Sequence, residues 1–570
     1  MSTTGTLVAA RAALLLALVF NPYLLARHCC RRADAAGTFA AWFASLLLLN
    51  TAWPVLLTVL GKPVNAGSLA TGHAVCFLLL TVTAVVRSLP LKPAPTPAFA
   101  RPWLFLFLFA LLVLPFTRMA GIDTYKWQDL ASSVQTEQRV AWLVHPLSLF
   151  GYTPRSYPSA QPLLLATIEV LGGTGVDWGF YILSVLCGAG ALFTALLLGR
   201  RLFATEQTAR DFALLYVFSP VLLRYAFWAT GRGYFLALYP LLLWGLLELP
   251  HARGTAALAA CAALLPMTHK LGGIALCVVP LVFVASLALT ALRAGRRSMA
   301  LLFTLSLLSA AALTPGRGVA RILSFLWQPA SRLALLAPLS LAGFLLPGTA
   351  AGQPAWRAMQ LGWLVTMPLV FAGEMYGALL ALPFAACMAA VGLNEVCQRV
   401  AAHARYLRRA VGGVVALTSL AIIVHLSRHA TPEAVYQAAR FLEAHDPRGP
   451  YRIEAAGQTR TQIQGYVSGC PRFTVTATAE ASPRLRTPPR RTGNLRRDYQ
   501  QWVNYLRAIV ELPDVATAWY GATARVYYVS GPGAARPRLP PGVVCIHERD
   551  GVAVYAAATD PHADAHAERQ

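Results

Sequence analysis

Charge is scarce in this sequence: only 13% of its 570 residues are Asp, Glu, Lys or Arg, where a soluble domain carries about 25%. Acid is scarcer still, with 24 carboxylates against 48 cations, and lysine scarcest, present only as Lys62, Lys92, Lys126 and Lys270. Each shortage excludes something. So few charges among 56% hydrophobic residues exclude an ordinary soluble enzyme. A formal charge of +24 would suggest nucleic acid in a soluble protein, yet much of it sits in short connections between apolar blocks. Membrane topology accounts for it, and no nucleic-acid partner is expected. A chain that uses Arg by default makes each Lys worth following.

What is present in quantity is long apolar runs. Their centres are Leu18, Leu47, Phe77, Phe109, Leu186, Tyr216, Leu241, Ala260, Val282, Leu307, Leu339, Met367, Ala385 and Leu417. A membrane helix needs about 20 apolar residues, so the expected fold class is a polytopic α-helical membrane protein with about 12–14 transmembrane helices. The first segment, with Arg11 near its start, lacks a clear small-residue cleavage site and runs into a basic stretch at 27–32, so it reads as a membrane helix rather than a signal peptide. The chain divides into 1–100, extra N-terminal membrane helices; 101–428, a membrane core with a long loop at 118–177; and 429–570, a small soluble α/β domain.

Orientation follows from the cations in short connections, which prefer the cytoplasm. Arg27/Arg31/Arg32, Arg87/Lys92/Arg101, Arg200/Arg201/Arg210, Arg293/Arg296/Arg297 and Arg399/Arg405/Arg408/Arg409 alternate along the chain and are placed inside. The complementary connections, 118–177, 230–233, 268–272, 314–321 and 373–376, then share the outer face with the C-terminal domain, which is extracytoplasmic in the cell (inner or plasma) membrane. That face collects Asp123, Lys126, Asp129, His145, Arg155, Arg232, His269, Lys270, Arg317 and Glu374. Singly, any of them reads equally well as the point where a helix meets water; together they point to a site.

The loop at 118–177 is far longer than the roughly 15 residues above which loops are usually functional or disordered. Its aromatics, including Tyr125, Trp127, Tyr152 and Tyr157, speak against disorder. Apolar stripes predict helices over 129–144 and 161–171. Between them Tyr152-Thr153-Pro154-Arg155-Ser156-Tyr157-Pro158 demands extended backbone.

Three features resemble the glycosyltransferase-C (GT-C) superfamily of integral membrane enzymes, which includes protein O-mannosyltransferases, the aminoarabinose transferase of lipid A and oligosaccharyltransferase catalytic subunits. They are a helix ending in Gly121-Ile122-Asp123, the long loop with two short helices, and Tyr157-Pro158-Ser159-Ala160-Gln161-Pro162 before an apolar helix ending in Gly172-Gly173. The pair around Glu374-Met375-Tyr376 and Leu382-Pro383-Phe384 is similar to the late helices of bacterial members, with Glu374 where an Arg often stands. The three N-terminal helices depart from the superfamily plan.

The resemblance implies inverting transfer of a sugar from a polyprenyl phosphate or diphosphate to a lipid, glycan or protein acceptor on the outer side. It implies Asp123 as the general base; the bland alternative is an N-cap. Such a displacement needs a carboxylate for the attacking group and cations for the departing phosphate. Asp129 is a second catalytic carboxylate or a ligand for a divalent cation, Mg or Mn, although a solvated helix-face Asp explains it too. No zinc site is expected, for the membrane part has no HxH or HExxH spacing. Arg232, His269, Lys270 and Arg317, each with glycines nearby, are the donor-phosphate candidates. Lys126, His145, Tyr152, Arg155, Tyr157, Glu374 and Tyr376 are the candidates for contacting substrate, beside the membrane lipids themselves.

In the tail, Pro432 opens a helix over 432–443 with Thr431 as N-cap, and a second helix falls at 497–510. Strands are expected at 451–454, 472–477, 524–529, 543–547 and 552–557. Cys470 and Cys545 could form a disulfide outside the cell. The competing reading, a multi-span transporter or lipid flippase, predicts inverted repeats, and none is visible.

Overall fold

The structure, a computed structural model, describes residues 3–30, 33–87, 100–113, 118–140, 158–292, 296–316, 318–346, 354–446, 451–455, 458–467, 501, 525–531 and 539–557. Four helices come first: α1 (Thr3–Cys29), α2 (Ala35–Val59), α3 (Ala66–Val86) and α4 (Ala100–Val113). The long loop carries α5 (Ile122–Glu137) and α6 (Ala160–Gly172). There follow α7 (Val176–Leu202), α8 (Glu206–Val217), α9 (Pro220–Phe227), α10 (Gly231–Leu247), α11 (Ala252–Thr268), α12 (Leu271–Ala291) and α13 (Arg296–Leu313). The bundle closes with α14 (Gly318–Leu333), α15 (Leu336–Leu345), α16 (Pro354–Phe371), α17 (Met375–Arg399) and α18 (Ala404–Ser427).

Every one of the apolar block centres lies in a helix. Among the described residues, α1, α2, α3, α7, α12, α17 and α18 are the seven long and apolar enough to cross a membrane, and α14 with α15 adds an eighth if that bent pair is one span. α6, α10, α11 and α13 are apolar but shorter. Burial sorts these helices by neighbour. α7, α10 and α17 are sheathed by others, whereas α3, α12 and α18 keep large aliphatic side chains exposed, Leu281 at 68% and Leu417 at 69% among them. Exposed apolar faces this extensive belong against lipid. The chain is a multi-pass membrane protein.

Helices dominate because no backbone polar group can be left unsatisfied in hydrocarbon. Prolines inside the bundle test that rule, since each removes the N–H owed to the carbonyl four residues earlier. Pro240 in α10 leaves Leu236 without its helical donor, and the buried Tyr216 hydroxyl of α8 donates to that carbonyl at 2.6 Å. Pro368 in α16 does the same to Leu364, where the Ser306 hydroxyl of α13 donates at 2.7 Å. These two side chains thereby tie neighbouring helices together. Elsewhere α15 and α17 touch backbone to backbone, because a Cβ on Gly343 would lie only 1.9 Å from the Met388 carbonyl.

The tail is a four-stranded sheet in the order β1 (Tyr451–Ala455), β2 (Arg525–Ser530), β4 (Val552–Ala557), β3 (Val543–Arg549). β1 and β2 run parallel and the other pairs antiparallel. Asp550 and Gly551, with φ of 50° and 76°, make the two-residue turn that joins β3 to β4. α19 (Glu433–His445) and α20 (Gln458–Tyr466) pack on this sheet. The expected strand at 472–477 and helix at 497–510 lie outside the described residues, apart from Gln501. So does Cys470; Cys545 stands on β3 with its thiol 3.4 Å from the His547 carbonyl.

Three expectations need correction. Gly121-Ile122-Asp123 opens a helix rather than ending one, with Gly121 and not Asp123 at the cap position of α5. The helix placed at 129–144 begins earlier, as α5, because Gly121 at φ 84° breaks the chain just before Ile122 and Gln138 in the left-handed region ends it. The tail helix starts at Glu433 with Pro432 as its cap, because Thr431 is captured by Tyr125 of α5, hydroxyl to hydroxyl at 2.6 Å.

Tyr216→Phe should lower stability by roughly 1–3 kcal/mol, the cost of an unsatisfied buried carbonyl. In a Pro240→Ala background, where the helix regains its own donor, the same change should cost less. Thermal unfolding of the four proteins in detergent checks this; equal costs in both backgrounds would refute it.

Candidate functional site

Three of the connections placed on the outer face, 230–233, 268–272 and 373–376, meet at one end of the bundle, beside the turn that opens α5. Met119, Ala120 and Gly121 lead into α5 and are held on three sides. The Met119 N–H donates to the Asp177 carboxylate of α7 and to the Tyr466 hydroxyl of α20, each at 3.1 Å, and Tyr466 itself donates to Asp177 at 2.7 Å. The Met119 carbonyl accepts from the Thr431 N–H at 3.1 Å and from the Tyr125 hydroxyl at 3.1 Å. Ala120 and Ala430 form an antiparallel bridge. The start of α5 is therefore fixed by membrane helix and tail together.

The other side of this turn faces α9 and α10. The Trp228 ring lies 3.0 Å from where a Cβ on Gly121 would sit, and the Thr124 hydroxyl is 3.1 Å from the Trp228 carbonyl. Gly231 opens α10 against the Thr268 carbonyl, where a Cβ would come to 2.2 Å, so residues 230–233 and 268–270 are brought together by the lack of a side chain.

Cations gather here. The Arg232 guanidinium lies over the rings of Tyr225 and Tyr376, at 5.4 and 5.7 Å. His269 sits between Phe235 and Tyr376, its ring 6.5 and 5.9 Å from theirs, within the field of Arg232 and Lys270. Arg332, at the end of α14, donates to the Gly373 carbonyl at 2.7 Å and is within electrostatic reach of Tyr225, Arg224 and Glu374. Arg224 itself covers the Trp228 ring at 4.8 Å.

Arg232, His269, Lys270, Glu374 and Tyr376 are thus brought together, as neighbours across three separate connections. Arg224 and Arg332 are members that the sequence reading missed. Arg224 offered a signal, a lone cation inside the apolar run of α9. Arg332 offered less, since it reaches the site only because α14 and α15 bend by 101°. Asp123, Lys126 and Asp129 fall within α5, but their side chains lie outside the described residues, as do His145, Tyr152, Arg155, Tyr157 and Arg317 altogether. Positions 123 and 129 are separated along α5 by about 9 Å and by about a third of a turn in direction. Among the described residues no group of three or more His, Cys, Asp or Glu could hold a metal ion.

A second feature of this end is α14 itself. Val319, Ile322, Leu323, Leu326 and Trp327 form an exposed apolar stripe, whereas Pro329 and Leu333 are buried. A helix so divided suits the membrane interface.

No protein-family model and no curated protein matches the chain. Solved structures similar to it include an oligosaccharyltransferase from Archaeoglobus fulgidus in complex with Zn and sulfate, at 12% identity over 75% of this chain and 67% of that one, with a TM-score of 0.45. Another is ArnT from Cupriavidus metallidurans bound to undecaprenyl phosphate, at 13% identity over 81% and 99%, with a TM-score of 0.48. A third is the mycobacterial arabinofuranosyltransferase AftD, at 15% identity over 82% and 42%, with a TM-score of 0.42.

Burial, reinforced by Arg232 and Lys270, lowers the His269 pKa from 6.5 to about 3. The imidazole is therefore neutral at pH 7 and can orient a ligand but not neutralise one. Between pH 6.5 and about 3 the unfolded chain takes up a proton at His269 that the folded chain refuses, so stability falls as pH falls through that window and is unaffected above it. His269→Gln should remove this loss, so that the variant gains on the wild type in thermal stability from pH 6.5 towards 4. A His269 ring that titrates near 6.5 by NMR would overturn the assignment.

Proposed function

We propose that the chain is a membrane glycosyltransferase that moves a sugar, with inversion, from a polyprenyl phosphate or diphosphate to an acceptor on the outer face of the cell membrane. One observation carries this reading: Arg224, Arg232, Lys270 and Arg332 gather around Tyr225, Tyr376 and Glu374, beside the helix on which Asp123 lies. Like charges drawn together at a membrane boundary cost on the order of kcal/mol per pair, and an anion relieves that cost. A lipid phosphate supplies the anion at that depth, and the apolar stripe of α14 suits the chain that anchors it.

The chemistry follows from placement. Asp123 takes the proton of the acceptor group, whose oxygen or nitrogen attacks the anomeric carbon; the bond to the phosphate oxygen breaks, and the departing charge is received by Arg232, Lys270 and their neighbours. Arg offers paired donors to a phosphate and Lys a point charge, so both kinds serve. Neutral His269 and Tyr376 orient the phosphate. Lys126, His145, Tyr152, Arg155 and Tyr157 remain candidates for holding sugar or acceptor, and Arg317 for the donor. Asp129 is a second carboxylate, and with it a divalent ion, Mg or Mn, could be recruited; no step here depends on one.

The bent pair α14 and α15 supports a second reading, a transporter or lipid flippase, because broken helices line transport sites. The two separate on one assay. Purified protein should transfer radiolabelled sugar from a panel of polyprenyl-phosphate donors, and Asp123→Asn should lose a factor of about 10²–10⁴ in rate while still binding donor. EDTA run alongside reads any metal requirement. Movement of lipid or solute in liposomes, without transfer from any donor, would replace the enzyme reading by the transport one.

A further inference from the structure

On the face of the 118–121 turn opposite the cation cluster lies a cavity of about 290 Å³, lined by Arg118, Asp177, Trp178, Tyr436, Arg440 and Tyr466 together with residues 175–176. It forms where the membrane bundle and the tail meet. Its volume falls at the lower end of the range for small-molecule sites, room for a unit the size of one ring.

The lining is chemically selective. The Tyr466 and Asp177 groups that face Met119 are engaged in holding the turn. Arg118 stacks on the Tyr436 ring at 4.5 Å and pairs with Glu433, which fixes the plane of its guanidinium. Arg440 is exposed, acts electrostatically on Asp177 and makes no ion pair among the described residues. Trp178 keeps 52% of its surface exposed at the rim, held edge-on to Tyr181 with ring centres 5.6 Å apart. An exposed indole is an apolar platform for the C–H face of a sugar ring, and a guanidinium recognises an oxyanion.

We infer that this cavity is a subsite for a sugar unit bearing an oxyanion, a carboxylate or a phosphate, on the acceptor. This rests on the glycosyltransferase reading and deepens it. The cavity and the cation cluster flank the same short segment, and Arg118 is five residues from Asp123, so no more than roughly 18 Å of extended chain separates them.

The test is binding to the full chain in nanodiscs without any donor, by saturation-transfer NMR, with methyl glucuronide, methyl glucoside, inorganic phosphate and phosphatidylglycerol vesicles as separate probes. Undecaprenyl phosphate binding, measured in parallel, reports on the cation cluster independently. Methyl glucuronide should bind, methyl glucoside at least tenfold more weakly, and phosphate without protection of Trp178. Trp178→Ala and Arg440→Gln should each weaken methyl glucuronide tenfold or more and leave undecaprenyl phosphate binding unchanged. Equal binding of glucoside and glucuronide overturns the oxyanion requirement. Phosphate or vesicles competing as well as the glucuronide overturn the sugar requirement, and glucuronide binding that survives both substitutions overturns the location. Loss of undecaprenyl phosphate binding in the wild type would instead sink the donor reading and leave the cavity to be judged on its own probes.

Discussion

The backbone of Met119 is the point on which this architecture turns. Its N–H is shared by Asp177 and Tyr466 and its carbonyl by Thr431 and Tyr125, so one residue ties the start of α7, the tail and the helix bearing Asp123. Four partners on the N–H and C=O of one residue exceed what a turn needs for its own satisfaction. Gly465 brings α20 close enough to make this possible, since a Cβ there would lie 2.8 Å from the Tyr125 ring. The tail is in consequence a part of the site rather than an appendage, and it supplies one wall of the cavity beside it.

Cations are arranged differently at the two ends of the bundle. At the end assigned to the cytoplasm, arginines meet carboxylates: Arg200 with Asp34 and Glu206 at 2.6 and 2.8 Å, Arg201 with Glu248 at 2.7 Å, Arg408 with Asp211 at 3.3 Å. Such pairs add modest stability each and leave little field beyond them. At the other end Arg224 and Arg232 lie over aromatic rings, Arg332 donates to a backbone carbonyl within electrostatic reach of Glu374, and Lys270 stands beside His269. A concentration of cations at a water boundary attracts an anionic headgroup.

Much of this was legible in the sequence, for reasons that differ by element. Apolar blocks announce membrane helices whatever packs around them, and the alternation of basic connections by itself sorts Arg232, His269, Lys270 and Glu374 to one end. Where the outcome depends on distant partners, local patterns misled. Thr431 has the chemistry of an N-cap, but Tyr125, far away in the chain, claims its hydroxyl. α5 starts ahead of its apolar stripe because a glycine conformation decides the start. Arg332 joins the site through a bend between two helices, and α20 is too short and polar to leave a periodic mark.

The central claim is that the cation cluster holds a lipid-linked phosphate. The most direct measurement is the affinity of purified protein for undecaprenyl phosphate, compared with the doubly substituted Arg232→Ala/Arg332→Ala protein, each verified as folded by its thermal transition. With each guanidinium contributing about 1.4 kcal/mol, a factor of ten, the double variant should bind about 100-fold more weakly. An affinity unchanged in the folded double variant would contradict the account.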